Sequence, residues 1–481
     1  MNKINRGEEF HPVEVVHAPK ARKPQKPKRG NASPPLVLAI VCVGICLANL
    51  DLFIVNVALP NIGRDFKDAS LEDLSWVLNG YAIAYASLLV FFGRLAERYR
   101  RNLSFLLGVG LFTAASAACA IAGNVETLIA FRVLQAAGAA LMTPTSLGLL
   151  MAAFPPERRG YAVRTWTAIG GVAAALGPVI GGVLVTANWR WIFLVNVPVG
   201  IIAMLVGWWK LPEIPGHAAP RPNPGDAALV TGGIGALTFA IVKVNDWGWG
   251  SPGIAGSVVV AAVLLALFVW RCLRSPNPFV DPALFRIRPV AGAALTMAPY
   301  SAAFGAMLLS VALWEQSAWG WSALQTGLAI APGPLLVPIT SLLLAGRLIA
   351  RFGAAAVVTA GVLFFIAGLV AWALLIGQEP NVWFVIMGMV PTGIGVGLTF
   401  PTLMGVGAGG LPPSAFATGS GVINMVRQAA LAVGVAMFVA IIGSPASPLE
   451  RVAAFHRGWW IMAGVTALAL IPNYIFIRAR K

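Results

Sequence analysis

The stretch CLANLDLFIVNVALP, residues 46–60, carries a single charged side chain, Asp51, inside an otherwise apolar segment. A segment this apolar is typical of a membrane-spanning helix. A carboxylate near the middle of a bilayer costs about 2.5–3.5 kcal/mol on insertion scales. An ionisable side chain that is retained at such a cost marks a candidate functional site, and its role depends on the class of protein around it.

Composition places the chain among membrane proteins. Of its 481 residues, 58% are hydrophobic and 11% are charged, whereas a soluble domain carries about 25% charged residues. The charges fall between apolar runs of the length that crosses a bilayer, about 17–25 residues. We therefore predict an all-α integral membrane protein with fourteen spans. The predicted spans are 35–60, 75–93, 103–124, 127–153, 162–187, 191–211, 227–245, 253–272, 290–312, 325–346, 355–376, 382–407, 415–442 and 457–477.

The distribution of basic residues predicts the orientation. With a cytoplasmic N-terminus, 26 of the 34 lysines and arginines lie in cytoplasmic segments and six lie outside, while Arg132 and Arg427 lie within spans. Positive residues collect on the cytoplasmic side of membrane proteins, so we expect both termini in the cytoplasm and the chain in the cell (cytoplasmic or inner) membrane. The net charge of +16 then reflects orientation and contact with lipid headgroups, and we expect no nucleic-acid partner.

Two pairs of similar segments indicate an internal repeat. GRLAERYRRN at Gly93 resembles GRLIARFGAA at Gly346, an offset of 253, and GAALMTPT ending at Thr145 resembles GVGLTFPT ending at Thr402, an offset of 257. Two related halves with a site between them are the architecture of secondary transporters. The offsets leave room for six helices, two inserted helices and six more. We predict a disordered basic tail at 1–34, a six-helix bundle at 35–211, two inserted helices at 212–288, and a second six-helix bundle with a short basic tail at 289–481.

Four stretches, in this order along the chain, resemble motifs of the major facilitator superfamily, specifically its fourteen-helix drug:proton antiporter branch. LDLFIVNVALP at 50–60 resembles the first-helix motif, with Phe53 where threonine is usual. GRLAERYRRN at 93–102 resembles the motif between helices 2 and 3, and RVLQAAGAA at 132–140 resembles the fourth-helix motif. GGVAAALGPVIGG at 170–182 resembles the antiporter motif of helix 5. The resemblance implies a transporter without enzymatic activity or a cofactor.

The motif between helices 2 and 3 is predicted to act at a cytoplasmic gate. A carboxylate at Glu97 can pair with a guanidinium and a helix N-terminus across the two halves, which would latch one conformation. This sequence departs from the usual pattern because Glu97 replaces aspartate and Arg100 replaces glycine. The alternative is a basic turn that only sets topology. The candidate gate residues are Gly93, Arg94, Glu97, Arg98 and Arg101.

The antiporter motif combines glycines with a proline inside a span. Gly177 and Gly181 form a face of small residues that lets another helix approach closely, and Pro178 bends the helix. In the resembled family this surface helps to seal one gate; ordinary close packing is the alternative. The candidate residues are Gly170, Gly177, Pro178, Gly181 and Gly182.

Asp51, Arg132 and Glu315 are the candidate proton-coupling residues. Arg132 lies six residues past Glu126 and Asp51 nine residues before Pro60, so their depths are about 9 Å and about 13 Å at 1.5 Å per residue. These depths allow the two charges to pair. A static structural pair is the alternative to a proton carrier. Glu315 is equally compatible with a second proton site and with a solvated loop acid.

Several aromatic and polar side chains within the spans are candidates for a substrate cavity, although packing explains each of them as well. Trp314 belongs to the same group of aromatic residues. Asp226, by contrast, is interpreted as a helix N-cap. The candidate cavity residues are Asn56, Tyr81, Tyr85, Trp166, Tyr300 and Arg427.

These features favour a proton-driven exporter of small hydrophobic or amphipathic molecules, of the kind that confers multidrug efflux and antibiotic resistance. No glycine-rich phosphate loop is present, so ATP is not the expected energy source. A metal enzyme is disfavoured because His11, His17, His217 and His456 are predicted to lie in tails or loops without ligand spacing. A sensor or assembly partner on a transporter scaffold, and an exporter of one metabolite, remain alternatives. The sequence leaves open whether a periplasmic adaptor is a partner.

Overall fold

Fourteen helices of the described chain are long and apolar enough to cross a membrane, which confirms the predicted number. The structure is a computed structural model that describes residues 32–216, 221–411 and 416–477. Nearly all of the predicted basic tail at 1–34, together with His11, His17, His217 and residues 478–481, lies outside the described residues.

The helices before residue 288 are α1 Pro34–Asp65, α2 Leu71–Arg98, α3 Arg101–Ala120, α4 Val125–Ala153, α5 Pro156–Ala187, α6 Trp191–Leu194, α7 Asn196–Lys210, α8 Pro224–Val242, α9 Val244–Trp247, α10 Pro252–Arg274 and a 3₁₀ turn at Pro282–Arg286. The later helices are α11 Arg288–Ser317, α12 Ala323–Ile330, α13 Pro332–Ile339, α14 Gly346–Phe352, α15 Ala354–Leu375, α16 Val382–Gly409, α17 Phe416–Ile442, α18 Pro448–Ala467 and α19 Leu470–Pro472, with π turns at Thr340–Ala345 and Asn473–Ile477.

Local sequence explains where the helices begin. Ser70 starts α2 with a capping box, because its side chain accepts from the Asp73 amide and the Asp73 carboxylate accepts from the Ser70 amide. This cap and the continuation of α1 through Pro60 shorten the first connection to residues 66–70, whereas the sequence predicted a loop at 61–74. A proline removes one backbone donor and bends a helix, and here it does not end α1.

The tenth span is broken into α12, a proline-rich α13, a π turn and α14. Pro332 and Pro338 lack the backbone N–H that a regular helix needs, so the hydrogen-bond ladder changes period between them and Gly346. The second copy of the repeated motif begins at Gly346, directly after this π turn, and its helical part ends at the cap residue Gly353, which has a φ of 81°. Glycine adopts that backbone angle without steric cost.

The internal repeat is visible as the same helix crossing in two places. A Cβ atom added to Gly138 would lie 2.8 Å from the carbonyl oxygen of Gly108, so α3 and α4 are in direct backbone contact. A Cβ atom added to Gly395 would lie 2.6 Å from the carbonyl oxygen of Gly361, which places α15 and α16 in the same contact. The two crossings are related by the sequence offsets of 253 and 257. Small residues permit this approach between membrane helices.

The two helices between the predicted halves, α8 and α10, pack against each other, and α8 also contacts α2 and α17. Arg271 of α10 donates to the carboxylate of Asp226 on α8. The interpretation of Asp226 as an N-cap is wrong, because Asn223 caps α8 and Asp226 lies in its first turn. The six–two–six division of the chain stays a prediction.

Helix α1 touches the later half of the chain mainly near its C-terminal end. There, Ile54 and Val57 share a buried cluster with Leu309, Ala323 and other later residues. The cluster around the start of α1, which includes Val37, is built from residues before 215 among those described. Contact between α1 and the later half is therefore concentrated at one end of the helix, which we call the Asn61 end.

Candidate functional site

Asp51 and Arg132 form an ion pair inside the first half of the protein. The Nη1 atom of Arg132 on α4 donates to Oδ2 of Asp51 on α1. Both side chains are completely buried. The pairing that the depth argument predicted is therefore present. A buried carboxylate and a buried guanidinium each lose their hydration, so each needs the other to remain charged at this depth.

Three polar side chains complete the surroundings of the pair. Gln135 Nε2 donates to Asp51 Oδ1 at 2.8 Å and to Ser116 Oγ at 2.8 Å, while Gln135 Oε1 accepts from Arg132 at 2.6 Å. Asn196 of α7 donates to Asp51 Oδ1 at 3.5 Å. Asp51 thus receives hydrogen bonds from α4 and α7, and one network joins α1, α3, α4 and α7. A change in the charge of Asp51 would alter the contacts of all four helices.

Arg132 is also held from α2. Its Nε atom donates to the carbonyl oxygen of Val77 at 3.2 Å, and its guanidinium carbon lies 4.1 Å from the centre of the Tyr81 ring. Tyr85 stacks on Tyr81 with a centroid distance of 6.0 Å and an angle of 7°. The Nη2 atom of Arg132 has no hydrogen-bond partner among the described residues. The guanidinium is therefore oriented by several groups, while its Nη2 group makes no hydrogen bond to the described residues.

A small apolar cleft lies between the two predicted halves, toward the Asn61 end of the helices. It contains Asn56, whose amide donates to the carbonyl oxygen of Leu52 at 3.2 Å. The side chains around it come from α1, α5, α11, α12 and α16. They are Phe53, Asn56, Val57, Pro178, Met307, Leu308, Val311, Ile330 and Met389.

The antiporter motif lies between α1 and α12. On the α1 side, Cβ atoms added to Gly177 and Gly181 would lie 2.8 Å from Phe53 Cβ and 2.8 Å from Ile54 Cγ1, and Asn49 donates to the carbonyl oxygen of Gly170 at 3.1 Å. On the other side, a Cβ atom added to Gly182 would lie 2.7 Å from the carbonyl oxygen of Ala323.

Pro178 lies in the same seam, because α12 approaches its carbonyl group so closely that a side chain at Gly327 would collide with it. The motif therefore makes backbone contact with both halves at the Asn61 end. Ordinary packing within one bundle would involve only the α1 side, so this double contact favours the predicted sealing surface.

The protein belongs to the major facilitator superfamily. The family model described as Major Facilitator Superfamily matches residues 41–435. The chain is 32% identical over 416 residues to the tetracenomycin C resistance and export protein of Streptomyces glaucescens, which covers 83% of this chain and 76% of that protein. It is 33% identical over 411 residues to the methylenomycin A resistance protein of Streptomyces coelicolor, with 85% of each chain covered.

Solved structures of peptide transporters share the fold. An auto-inhibited peptide transporter of the POT family has a TM-score of 0.67 and covers 92% of this chain and 97% of its own, at 17% identity. At that identity the likeness shows the fold alone. Family membership and fold identify the chain as a transporter and not an enzyme, as predicted.

The predicted gate motif, residues 93–102, runs from the last turns of α2 into the start of α3. Gly93 packs against Pro144 of α4, where an added Cβ atom would lie 3.7 Å from Pro144 Cβ. Arg101 begins α3 and donates to the carbonyl oxygen of Gly148 at 3.1 Å. Arg94 and Arg98 lie in the last turns of α2. The side chain of Glu97 lies outside the described part of the structure, so the predicted latch stays a prediction.

The candidate cavity residues separate into distinct groups. Tyr85 bonds to Thr143 at 3.1 Å. Tyr300 is completely buried and lies 5.2 Å from Phe400, centroid to centroid. Arg427 lies over the same Phe400 ring at 5.0 Å, which supplies the partner that the sequence did not reveal.

Two tryptophans complete this set. Trp166 is half-buried beside the cluster that surrounds the start of α1, and its indole N–H has no partner among the described residues. Trp314 is part of an aromatic cluster with Phe455 and Trp459, so its packing role is supported.

Glu315 and His456 differ from the sequence interpretation. Glu315 is completely buried near the end of α11, so the alternative of a solvated loop acid is wrong. His456 lies within α18 and not in a loop, with Nε2 2.6 Å from the carbonyl oxygen of Ile376. Residues of the described chain form no cluster of three or more potential metal ligands.

Sequence reasoning missed Gln135, Ser116 and Asn196, which complete the Asp51 site. Each is a polar residue inside an apolar span, and a polar group in a bilayer is expensive unless it is bonded within the protein. Gln135 is three residues after Arg132, on the same face of α4. That spacing was the available signal.

Proposed function

We propose that the protein is a proton-coupled exporter that moves amphipathic, drug-like or toxic small molecules across the cell membrane by alternating access. The names of its relatives support the substrate class, because they describe resistance to and export of tetracenomycin C and resistance to methylenomycin A. A further relative, 31% identical over 415 residues, is a probable actinorhodin transporter of Streptomyces coelicolor. The three names concern resistance, export or transport of a named compound.

The observation that carries proton coupling is the buried pair of Asp51 and Arg132. In the described arrangement, Arg132, Gln135 and Asn196 all donate to Asp51, and these bonds would hold its carboxylate in the ionised form. If α1 and α4 shift apart, the carboxylate loses its cationic partner in an apolar environment, and binding a proton becomes the cheaper way to remain buried. Re-formation of the pair expels that proton. A cycle of pairing and separation thus couples proton binding to helix movement.

The apolar cleft between the halves is the proposed substrate site after the halves separate, because in the described arrangement it is too small for a drug-like molecule. Its aliphatic, aromatic and thioether side chains accept many apolar shapes without directional bonds. Asn56 supplies its polar group from α1, five residues after Asp51. Substrate in the cleft would therefore press on the helix that carries the proton site. This contact is the proposed link between substrate occupancy and the charge pair.

The orientation completes the proposal. We propose that the protein lies in the cytoplasmic or inner membrane with both termini in the cytoplasm. The Asn61 end of α1 then faces outward. The described arrangement would be closed toward the outside, since the contacts of the antiporter motif lie at that end. The sensor or assembly-partner function is the second candidate. The complete burial and bonding of a titratable pair favours transport over that reading, because a static scaffold gains little from it.

The deciding experiment uses purified protein in liposomes with an imposed pH gradient and a panel of cationic, neutral and anionic dyes. Wild-type protein should show gradient-dependent flux of at least one dye. Asp51→Asn keeps the shape of the side chain and one of its two acceptor oxygens but cannot titrate, so we expect dye binding to persist and driven flux to be lost. Asp68→Asn, an exposed acid in the loop after α1, is the matched control and should transport normally.

Two results would overturn the proposal. Full gradient-driven flux by Asp51→Asn would exclude Asp51 as the essential proton carrier. The complete absence of gradient-dependent flux from monodisperse wild-type protein, over the whole dye panel, would favour the sensor or assembly-partner function.

A further inference from the structure

Glu315 is a buried acid whose carboxyl group has no hydrogen-bond partner in the part of the chain that the structure describes. Its side chain is completely enclosed, and neither carboxylate oxygen has a hydrogen-bond partner among the described residues. The neighbouring polar side chain is Thr326 of α12, which is itself fully buried and whose hydroxyl also has no hydrogen-bond partner among those residues. An ionised carboxylate in such surroundings is very unfavourable, and a group of this kind takes up a proton instead.

No charged side chain among the described residues pairs with Glu315. The titratable groups on the neighbouring segments are engaged elsewhere. Arg64 donates to Asn61, Arg451 donates to the carbonyl oxygen of Ser317, and His456 lies against the carbonyl oxygen of Ile376. None of the ion pairs of the described residues includes Glu315. The acid therefore differs from Asp51, which has a guanidinium and two amides around it.

The position of Glu315 links it to the seam between the halves. The next residue, Gln316, donates to the carbonyl oxygen of Val57 at 2.8 Å and accepts from Asn61 at 3.1 Å, so it joins α11 to α1. Four and seven residues before Glu315, Val311 and Leu308 line the cleft. This spacing puts Glu315 on the face of α11 that lines the cleft, at the Asn61 end.

Thr326 occupies the matching position on α12. Gly327, which follows Thr326, makes the close contact with Pro178 of the antiporter motif. Ile330, four residues after Thr326, lines the cleft. Glu315 and Thr326 therefore meet where α11 and α12 close against α1 and α5. Separation of the helices at this point would open a path for water to the carboxyl group.

We propose that Glu315 is a second proton-binding site, and that it must carry a proton before α11 and α12 can close against α1 and α5. When the seam opens, water reaches the carboxyl group, and the O–H bond can break with release of the proton to that water. When the seam closes, a proton from the same water binds the carboxylate, which becomes neutral. Closure at the Asn61 end is thus favoured by low pH on that side.

The two acids would respond to different events. Asp51 is controlled by contacts within the first half of the chain, whereas Glu315 is controlled by separation of the two halves. The role of Glu315 in a transport cycle rests on the proposed function, but its protonation and its effect on closure do not. The experiments below measure those two properties without substrate or flux.

The first experiment records infrared difference spectra of purified protein on changing pH. A protonated carboxyl group gives a carbonyl band that an ionised carboxylate lacks. We expect this band in wild-type protein, its loss in Glu315→Gln, and its retention in the matched control Glu379→Gln, an exposed acid of the same half. Thr326→Val leaves the acid in place and should shift the band, which identifies Glu315 even if the glutamine variant does not fold.

The second experiment measures closure with spin labels at Ala187 and Ser317, the exposed last residues of α5 and α11, after replacement of the four native cysteines by alanine. The short-distance population should grow as pH falls in the labelled protein. In Glu315→Gln the short distance should dominate at every pH. In Asp51→Asn the pH response should persist, which separates this proposal from the proposed role of Asp51.

Either of two results would overturn the inference. One is a carbonyl band that is unchanged in both Glu315→Gln and Thr326→Val. The other is a closure equilibrium whose pH dependence is the same in wild type and Glu315→Gln.

Discussion

The guanidinium carbon of Arg132 lies 4.1 Å from the centre of the Tyr81 ring, while the Tyr81 hydroxyl has no hydrogen-bond partner among the described residues. The ring face, and not the hydroxyl, is therefore what Tyr81 contributes to the site. A cation over an aromatic face contributes about 0.5–2 kcal/mol, with the larger values where water is excluded. Tyr81 stabilises the positive charge that holds Asp51.

We expect Tyr81→Phe to leave the free energy of unfolding unchanged or slightly higher, because it keeps the ring and removes an unsatisfied hydroxyl. Tyr81→Leu should lower it by about 2 kcal/mol through loss of the cation–π contact. Thermal unfolding of the purified variants in one detergent checks both. Equal destabilisation by the two substitutions would mean that the hydroxyl matters and the ring does not.

The repeated glycine crossing gives a second prediction. Gly138→Ala and Gly395→Ala should each destabilise the protein by about 1–3 kcal/mol, because a methyl group must enter a backbone contact. Gly405→Ala, on the same helix as Gly395 but facing open space, should be neutral or stabilise by about 0.5–1 kcal/mol. Unfolding midpoints measure the three changes. A loss with Gly405→Ala as large as with Gly395→Ala would attribute the effect to the helix and not to the crossing.

The ion pair between α8 and α10 gives a third prediction. Asp226 has a side chain that is 5% exposed, whereas Arg271 is 37% exposed. Arg271→Gln should therefore lower the free energy of unfolding by about 1–3 kcal/mol, because it leaves the buried carboxylate of Asp226 without its partner. Asp226→Asn should lower it by less, because the charge that it leaves is more exposed. The double variant should lose no more unfolding free energy than Arg271→Gln alone. Proteolysis of the 275–281 connection together with unfolding midpoints reports the loss, and Arg274→Gln, an exposed neighbour, is the control.

Additive losses in the double variant would show that the two side chains stabilise the protein independently. In that case α8 and α10 would be held by their apolar contacts alone, such as those of the buried cluster that contains Val230 of α8 and Phe268 of α10.

A fourth prediction concerns orientation. A reporter inserted in the 66–70 connection, or in the 248–251 connection before α10, should be accessible from outside the cell. A reporter fused after Lys481 should be cytoplasmic, because an even number of spans returns the chain to its starting side. Accessibility of the Lys481 fusion from outside, with fourteen spans intact, would invert the topology and place the closed end of the cleft in the cytoplasm.

Composition and the length of the apolar runs were sufficient to predict the fourteen spans. Similarity between distant segments was sufficient to predict the repeat. The predicted end of the first span at Pro60 was wrong. A proline was interpreted as the end of the first span, but α1 continues to Asp65, since one missing donor does not terminate a helix whose other bonds are intact. His456 was misplaced for a related reason, because α18 begins in a polar stretch that hydropathy does not detect.

The sequence by itself determined the class of the protein, the number of spans and the position of a carboxylate, Asp51, that is costly to bury in a bilayer. These follow from the cost of placing polar groups in a bilayer, which is a property of each segment alone. It also brought Asp51 and Arg132 to similar depths, because helix rise is fixed.

Only the tertiary structure decided which polar groups meet. Gln135 and Asn196 join Asp51 because α4 and α7 present them at one depth and one angle, and sequence gives the depth but not the rotation of one helix against another. Glu315 remained ambiguous for the same reason. A carboxyl group at the end of a span is solvated or buried according to the helices around it, and here α12 and α1 enclose the end of α11.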